Sequence, residues 1–278
     1  MYNVKKRAKT EDIVLIKLYN HNIWGNFAAD QKIGNRNKLI KKLIFDELPD
    51  FCCFQECNPT SSRKDDPIEE LISEIYTEAP TEAGKNNFTP VFYNKERFSV
   101  VFSDWIRYGG LNDIDSKSIT RGVFEEKSTG KRVAVFSTHF WWKVGEEHTL
   151  QRLENVKQLK AAAEDIIERF GVPVIISGDL NNGLGAEQDI RPYEKLMSEG
   201  FTDIRRAASV TTDSHTCHAY PTLSGNDEYV NGPKPTFTLD YILTYGENAL
   251  APLKFEVLTS REALNSSDHC PLVGEFEF

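Results

Sequence analysis

An α/β (α+β) sandwich is predicted, with two mixed, largely antiparallel β-sheets packed face to face and helices on their outer surfaces. Three features of the chain point to it. Short strand-like runs recur from residue 13 to residue 278. Those in the middle of the chain follow one another through short turns. Only a few segments keep a long helical period, and they fall between strands rather than in a block of their own.

Residues 13–19 (IVLIKLY) read as a buried strand. Over residues 31–48 the apolar positions Ile33, Leu39, Ile40, Leu43, Ile44 and Leu48 recur mostly at three- and four-residue steps, which predicts a helix that Pro49 stops. FCCFQ is the next strand. Residues 66–78 are expected as a shorter helix, with Ile68, Leu71, Ile72 and Ile75 on one face. FTPVFYN, FSVVFSDWIRY, SITRGVFEEK and KRVAVFSTHF read as successive strands. The turn between Phe124 and Val133 is short, so the last two should be antiparallel neighbours. Residues 148–170 form the clearest helix, capped by Gly171 with Pro173 beyond it. A strand (VPVIIS), a helix over 187–199 and a long polar loop over 212–237 follow. TLDYIL, LKFEVL and PLVGEFEF close the chain as strands. With strands spread over the whole length and no linker or repeat, a single domain over residues 1–278 is expected, with 1–12 a flexible lead-in.

The chain has 278 residues, 40% of them hydrophobic, enough for a sizeable core. Against 33 basic residues stand 42 acidic ones, a net charge of −9. Nucleic-acid binders neutralise phosphates with Lys and Arg, so this balance argues against a general nucleic-acid partner, though a local basic patch is compatible with it. Of the five cysteines, Cys52, Cys53 and Cys57 crowd one strand end, while Cys217 and Cys270 supply no second pair at zinc-finger spacing. Reduced, buried thiols are expected. The N-terminus has basic residues but no apolar core of a signal peptide, and IVLIKLY is too short to span a bilayer. A cytoplasmic monomer is the expectation; a leader cleaved before this sequence begins would place it outside the cell instead.

The pattern that carries function is a set of six polar endings. Runs of apolar residues finish in Asn20-His21-Asn22, Gln55-Glu56, Thr138-His139, Gly178-Asp179-Leu180-Asn181 and Leu239-Asp240-Tyr241, and a short polar lead-in finishes in Ser267-Asp268-His269. Any one of them alone is ordinary turn chemistry. Six along one chain describe a site assembled from many strand ends. Glu56 suits a hard divalent cation, which takes oxygen ligands and needs only one or two carboxylates. The amide of Asn22 can ligate a metal or hold a carboxylate in place. His139 can donate to a phosphoryl oxygen or act as a general acid, or be a core histidine bonded to backbone. Asp179 and Asn181 lie two residues apart, so both can face one side. Asp240 is the natural partner for His269, which as a base needs an acceptor to fix its tautomer. Asp268, next to His269, points elsewhere and can bind metal. Trp141 and Trp142 can wall a pocket for a ring. Arg121 can reach a phosphate or pair with an acid.

In order, N-I-W, QE, TH, GDLN, DY and SDH resemble the endonuclease/exonuclease/phosphatase superfamily, which includes AP endonucleases, pancreatic-type DNases, neutral sphingomyelinases, inositol polyphosphate 5-phosphatases and deadenylases. GDLN with a C-terminal SDHCPL is the specific part. The resemblance runs from about Val14 to Phe278. Residues 118–140 and the Thr-x-His at Thr216–His218 look closest to a bacterial branch. The resemblance implies a four-layer sandwich and a site at one edge of the sheets, with Mg²⁺ or Mn²⁺ held by Glu56 with Asn22 and Asp268. It implies in-line attack of water on a phosphate ester. His269 would be base or water-orienting group, held by Asp240. Asp179 would manage the proton, Asn181 the phosphate, and His139 the phosphoryl group or leaving oxygen. Arg121, Trp141, Trp142 and His218 would contact substrate. The activity expected is a Mg²⁺-dependent phosphodiesterase or phosphomonoesterase. A nuclease of the AP-endonuclease or DNase type is the second reading, disfavoured by the acidic chain, and a non-catalytic binding module on the same fold is the third. No hydrophobic hairpin for membrane insertion stands out.

Overall fold

The computed structural model describes residues 14–25, 33–57, 66–112, 114–183, 189–212, 214–218, 235–246 and 250–278. The expected lead-in at 1–12 and most of the 212–237 loop lie outside them. In chain order the elements are β1 (Leu15–Asn22), α1 (Ile33–Glu47), β2 (Phe51–Gln55), α2 (Ile68–Leu71), β3 (Tyr76–Glu78), β4 (Val91–Asn94), β5 (Phe98–Arg107), β6 (Ser118–Glu126) and β7 (Arg132–His139). Then come α3 (Glu146–Phe170), β8 (Val174–Asp179), α4 (Arg191–Ser198), β9 (Thr202–Asp203), α5 (Ile204–Ala207), β10 (Val210–Thr211), β11 (Asp240–Tyr245), β12 (Ala251–Val257), α6 (Arg261–Ser266) and β13 (Leu272–Glu277).

Among the described residues the strands form two sheets, of order β10-β12-β13-β1-β2-β4-β3 and β5-β6-β7-β8-β11-β9. Three apolar layers hold them. Leu18, Phe51, Phe124, Val135, Ile175 and Phe276 pack between the sheets. Phe136, Ile176 and Leu243 on the outer face of the second sheet pack on Val156, Leu159 and Ala163 of α3. Tyr19, Cys52 and Phe54 on the outer face of the first sheet pack on Ile40 and Ile44 of α1 and Ala263 of α6. The result is the four-layer sandwich, with strand alternation deciding which layer each residue enters. All five cysteines are buried free thiols. No described helix is long and apolar enough to cross a membrane.

Two expectations about elements change. The helix expected over 66–78 ends at Leu71, and Tyr76–Glu78 instead pair with β4, with Tyr76 opposite Asn94. Ile68 and Ile72 bury the face that the helical period announced, but beyond them an edge-strand pairing and the Tyr76 hydroxyl bond to the Pro49 carbonyl (2.8 Å) prevail over the local period. Asp240, expected to end a strand, begins one. β11 runs antiparallel to β8 and sets Asp240 opposite Asp179.

Strand direction explains why the polar endings meet. β1 and β2 are parallel, with Asn22 opposite Gln55, so their C-terminal ends share one edge. β7 and β8 are parallel, with His139 opposite Asp179, and end at the same edge of the other sheet. β11 and β13 run against these neighbours, so the residues before or at their N-terminal ends arrive there too.

Candidate active site

The strand exits are tight. At position 178 a Cβ would lie 1.9 Å from the Thr138 carbonyl oxygen, so only glycine lets β8 approach β7 this closely. Trp24, Glu56 and Asn181 all hold left-handed backbone, with φ of 50°, 56° and 48°. Such strain in non-glycine residues persists where surrounding contacts fix it, and it gathers at functional sites. Asn181 shows how: its backbone N–H donates to Asp179 Oδ1 (2.9 Å) and its Nδ2 to the Phe140 carbonyl (3.1 Å).

The acidic side of the site is tied by Asn22. Its Nδ2 donates to Asp179 Oδ2 (2.9 Å) and to Glu56 Oε1 (3.3 Å). Its Oδ1 accepts from the Trp24 backbone N–H (3.0 Å). The amide therefore holds two carboxylates together, one of the two roles open to it. Asp268 takes a hydrogen bond from Ser267 Oγ (3.2 Å), and burial together with the charge of Glu56 pushes its carboxyl up to about 7. Crowded carboxylates of this kind, with hard oxygen donors, fit a divalent cation, whose charge would relieve the repulsion.

Opposite stands a relay. Thr216 Oγ1 donates to Asp240 Oδ2 (2.7 Å), and the same oxygen meets His269 Nδ1 at 2.8 Å. His269 Nε2 lies 3.9 Å from Asp179 Oδ2. Ligand atoms of Asp179, Asp240 and His269 lie within 4.8 Å of one another, a spacing that would also suit a metal. Asp240 holds His269 protonated, and an imidazolium has no lone pair for a cation, so the trio is read as a hydrogen-bonding set. Burial opposes charge on His269, but Asp240 outweighs it and holds the imidazole well above its ordinary pKa. For Asp179, burial is outweighed by the neighbouring His139 (Nε2 3.4 Å from Oδ2) and by the positive charges of His269 and Lys117, which hold the carboxyl below its ordinary range.

Behind the site the chain is positioned by polar contacts inside the sandwich. His21 Nε2 meets the His269 carbonyl at 3.1 Å, and its Nδ1 meets the Tyr19 hydroxyl at 3.1 Å. Gln55 Nε2 donates to Asn20 Oδ1 (3.0 Å) and Ser137 Oγ (3.1 Å), cross-linking the two sheets.

Over residues 20–269 the chain matches the profile of the Endonuclease/Exonuclease/phosphatase family. It belongs to that family. A protein of Acanthamoeba polyphaga mimivirus is 23% identical over 94% of this chain and all of its own length. Among solved structures, a family protein from Bacteroides thetaiotaomicron aligns with a TM-score of 0.74 at 18% identity, covering 97% of each chain. The mannosyl-6-phosphatase of the same organism gives 0.72 at 18% identity, over 95% of this chain and all of that one. Truncated TDP2 of Caenorhabditis elegans gives 0.65 at 18% identity, over 94% and 97%. At these identities the likeness establishes the fold, and members of the family are hydrolases acting on phosphate esters.

Measured against the family's strand-end site, the structure brings Asn22, Glu56, His139, Asp179, Asn181, Asp240, Asp268 and His269 to one edge. Arg121 and His218, expected at the substrate, are turned into the protein. Arg121 points to the helix side of its sheet, where it grips Asp104, Asp165 (2.8 Å) and the Ala162 carbonyl (2.9 Å). It is the acid-pairing alternative that holds. His218 is fully buried against the 267–269 turn, its N–H on the Asp268 carbonyl (2.9 Å). Trp141 is mostly buried, with Nε1 donating to His148 Nδ1 (2.9 Å). Trp142 is 51% exposed beside it, and the Lys143 ammonium lies 5.6 Å and 5.9 Å from the two ring centres.

Two residues were missed. Thr216 was noted only as part of Thr-x-His, yet it carries the hydroxyl behind Asp240. Lys117 lies in a polar segment that reads as loop, yet its ammonium is buried and 2.6 Å from His139 Nε2. Its position just before a strand paired with the His139 strand was the available signal.

Proposed function

We propose that this chain is a divalent-metal-dependent phosphoric ester hydrolase that works with Mg²⁺ and delivers water in line to the phosphorus. The supporting observation is the buried line Thr216–Asp240–His269 facing Asp179 across 3.9 Å. That gap is too long for a hydrogen bond, so the Asp179 carboxylate and the His269 Nε2–H are each left to face water and substrate. Asp179, ionised well below neutrality, aligns the attacking water and takes its proton as the new P–O bond forms and the ester P–O bond breaks, the departing oxygen being protonated from water. Asn181 keeps the Asp179 carboxylate oriented through its backbone N–H. His269, held protonated by Asp240, donates from Nε2 to a phosphoryl oxygen as negative charge develops. Glu56 and Asp268 would hold the metal, and Asn22 fixes the angle of the Glu56 carboxylate. When bound, the metal supplies Lewis-acid neutralisation of phosphoryl charge.

The test is a Mg²⁺-supplemented panel of phosphomonoesters, phosphodiesters, abasic DNA and sphingomyelin, with Asp179→Asn and Glu56→Gln alongside the unmodified protein. Asp179→Asn should lower kcat by roughly 10²–10⁴-fold, the usual worth of a positioned proton acceptor. Glu56→Gln should raise the Mg²⁺ concentration needed for half-maximal rate. Full activity in Asp179→Asn, or an unchanged Mg²⁺ requirement in Glu56→Gln, would overturn the assignment. Preferential cleavage of abasic DNA would move the chain to the nuclease reading.

A further inference from the structure

We infer that Lys117 is a phosphate-binding residue of this site and that, with His139 behind it, it selects a terminal phosphate monoester dianion over a diester. The inference rests on the hydrolase reading for its substrate, and on geometry of its own for the residue. Lys117 sits one residue before β6, whose Ser118 neighbours the end of the His139 strand. Only 4% of it is exposed. An ammonium has three protons and no lone pair. One proton goes to His139 Nε2 (2.6 Å), and among the described residues no other acceptor lies within hydrogen-bonding distance of Nζ. Two donors on a buried cation therefore await an acceptor, and leaving such donors unmet is costly.

That contact also fixes the histidine. With Nε2 accepting from Lys117, the ring proton is on Nδ1, which has no partner among the described residues. Burial, and after it the Lys117 charge, disfavour imidazolium here and outweigh the opposing pull of Asp179 and Glu56. His139 at rest is thus an acceptor that aims the lysine, and the donor facing the phosphate is Lys117. Burial pulls the ammonium down to about 8 against the opposing pull of Glu56 and Asp179, so it stays mostly charged at neutral pH.

The preference for a monoester follows from counting oxygens. A diester offers two non-bridging oxygens and one negative charge, which a metal held by Glu56 and Asp268 together with the His269 N–H would suffice to meet. A monoester dianion offers three and brings a second charge into a site already lined by Glu56, Asp179, Asp240 and Asp268. The third oxygen and the extra charge need another buried cation, and Lys117 is the one beside His139.

The experiment compares Lys117→Met and Lys117→Arg with the unmodified protein on p-nitrophenyl phosphate and bis-p-nitrophenyl phosphate, each with Mg²⁺. Isothermal titration with inorganic phosphate and with diethyl phosphate runs in parallel. One charge-assisted hydrogen bond is worth about 10- to 100-fold. Lys117→Met should lose at least about that much kcat/KM on the monoester, and at least about ten-fold more than it loses on the diester. Its affinity for inorganic phosphate should fall by about 10-fold or more, with a smaller loss for diethyl phosphate. Lys117→Arg should recover most of both. Equal losses on the two esters, or unchanged phosphate affinity in Lys117→Met, overturn the inference. If the unmodified protein cleaves neither ester, the hydrolase reading fails, and the phosphate titration still decides the role of Lys117. If Lys117→Met does not fold, as judged by melting, Lys117→Gln replaces it in the same four measurements.

Discussion

Replacing Thr216 by valine removes one oxygen and little volume, and the structure says what that oxygen does. Thr216 Oγ1 donates to Asp240 Oδ2 (2.7 Å) and accepts from the backbone N–H groups of Leu239 (3.0 Å) and Asp240 (3.1 Å). Thr216 and Asp240 are essentially inaccessible to water, so water cannot replace the lost partner. Each buried donor left without an acceptor costs about 1–3 kcal/mol. With two N–H groups and one carboxylate contact affected, and an apolar methyl gained in a buried place, a net loss of roughly 2–4 kcal/mol is expected. For a chain of this size that lowers Tm by about 5–15 °C. Asp240 would also lose the hydroxyl that holds it toward His269, so kcat should fall by about ten-fold or more, as one charge-assisted hydrogen bond is removed from a relay. Thr216→Ser keeps the oxygen and should stay within about 1.5 kcal/mol of the unmodified protein, the scale of one or two methylene groups. Melting followed by circular dichroism, with kcat on the preferred ester, separates the two variants. A Thr216→Val protein that melts and turns over like Thr216→Ser would refute the role given to the hydroxyl.

Two further outcomes follow from residues outside the chemistry. Arg121→Met should leave kcat/KM unchanged while destabilising the fold by about 1–3 kcal/mol, less than a fully buried pair because Asp104 and Asp165 are partly exposed; a selective loss of activity without loss of stability would return Arg121 to the substrate. His21 is pushed down to about 3, chiefly by burial, so below its unfolded value near 6.5 the unfolded chain binds a proton that the folded chain refuses. Its contribution is neutral above that value, and stability is lost progressively as pH falls from there toward the folded pKa. At pH 5 the loss is about 2 kcal/mol. Urea unfolding of the unmodified protein and His21→Gln at pH 7.5 and pH 5.0 should therefore show their stability gap narrowing by about that amount, and an equal gap at both pH values would show that His21 is not the titrating group.

The frame of the fold was legible because burial writes itself into strands. FCCF is apolar at every position, and Phe51, Cys52, Cys53 and Phe54 are all fully buried in a strand with layers on both faces. The 148–170 period became α3, closed by Gly171 in left-handed backbone with φ of 63°. The site was legible where a polar residue stood at the end of an apolar run, as Glu56, His139 and Asp179 do. It was not legible where position comes from pairing alone. TLDYIL reads as a strand, but only the antiparallel register shows that Asp240 comes opposite Asp179. Lys117 follows a polar stretch, and only the β6–β7 pairing carries it to His139. Arg121 reads as a phosphate ligand or an ion pair until Asp104 and Asp165 are seen to flank it.

The same distinction separates the reaction from its substrate. Asn22, His139, Asp179 and Asp240 lie at strand ends whose mutual placement is fixed by hydrogen-bonded register, with the ends of β1 and β7 held by β2 and β8. Residues at the ends of paired strands have little freedom to move relative to one another, which is what water, phosphorus and a leaving oxygen require. Lys117 and Trp142 stand outside strands, on the segments that enter β6 and leave β7. Such segments tolerate sequence change that the sheets do not. A family that keeps the strand ends and varies these segments can keep one bond-breaking geometry while changing the molecule that presents the phosphate. Lys117, two residues from Ile119 of the paired strand, stands on such a segment.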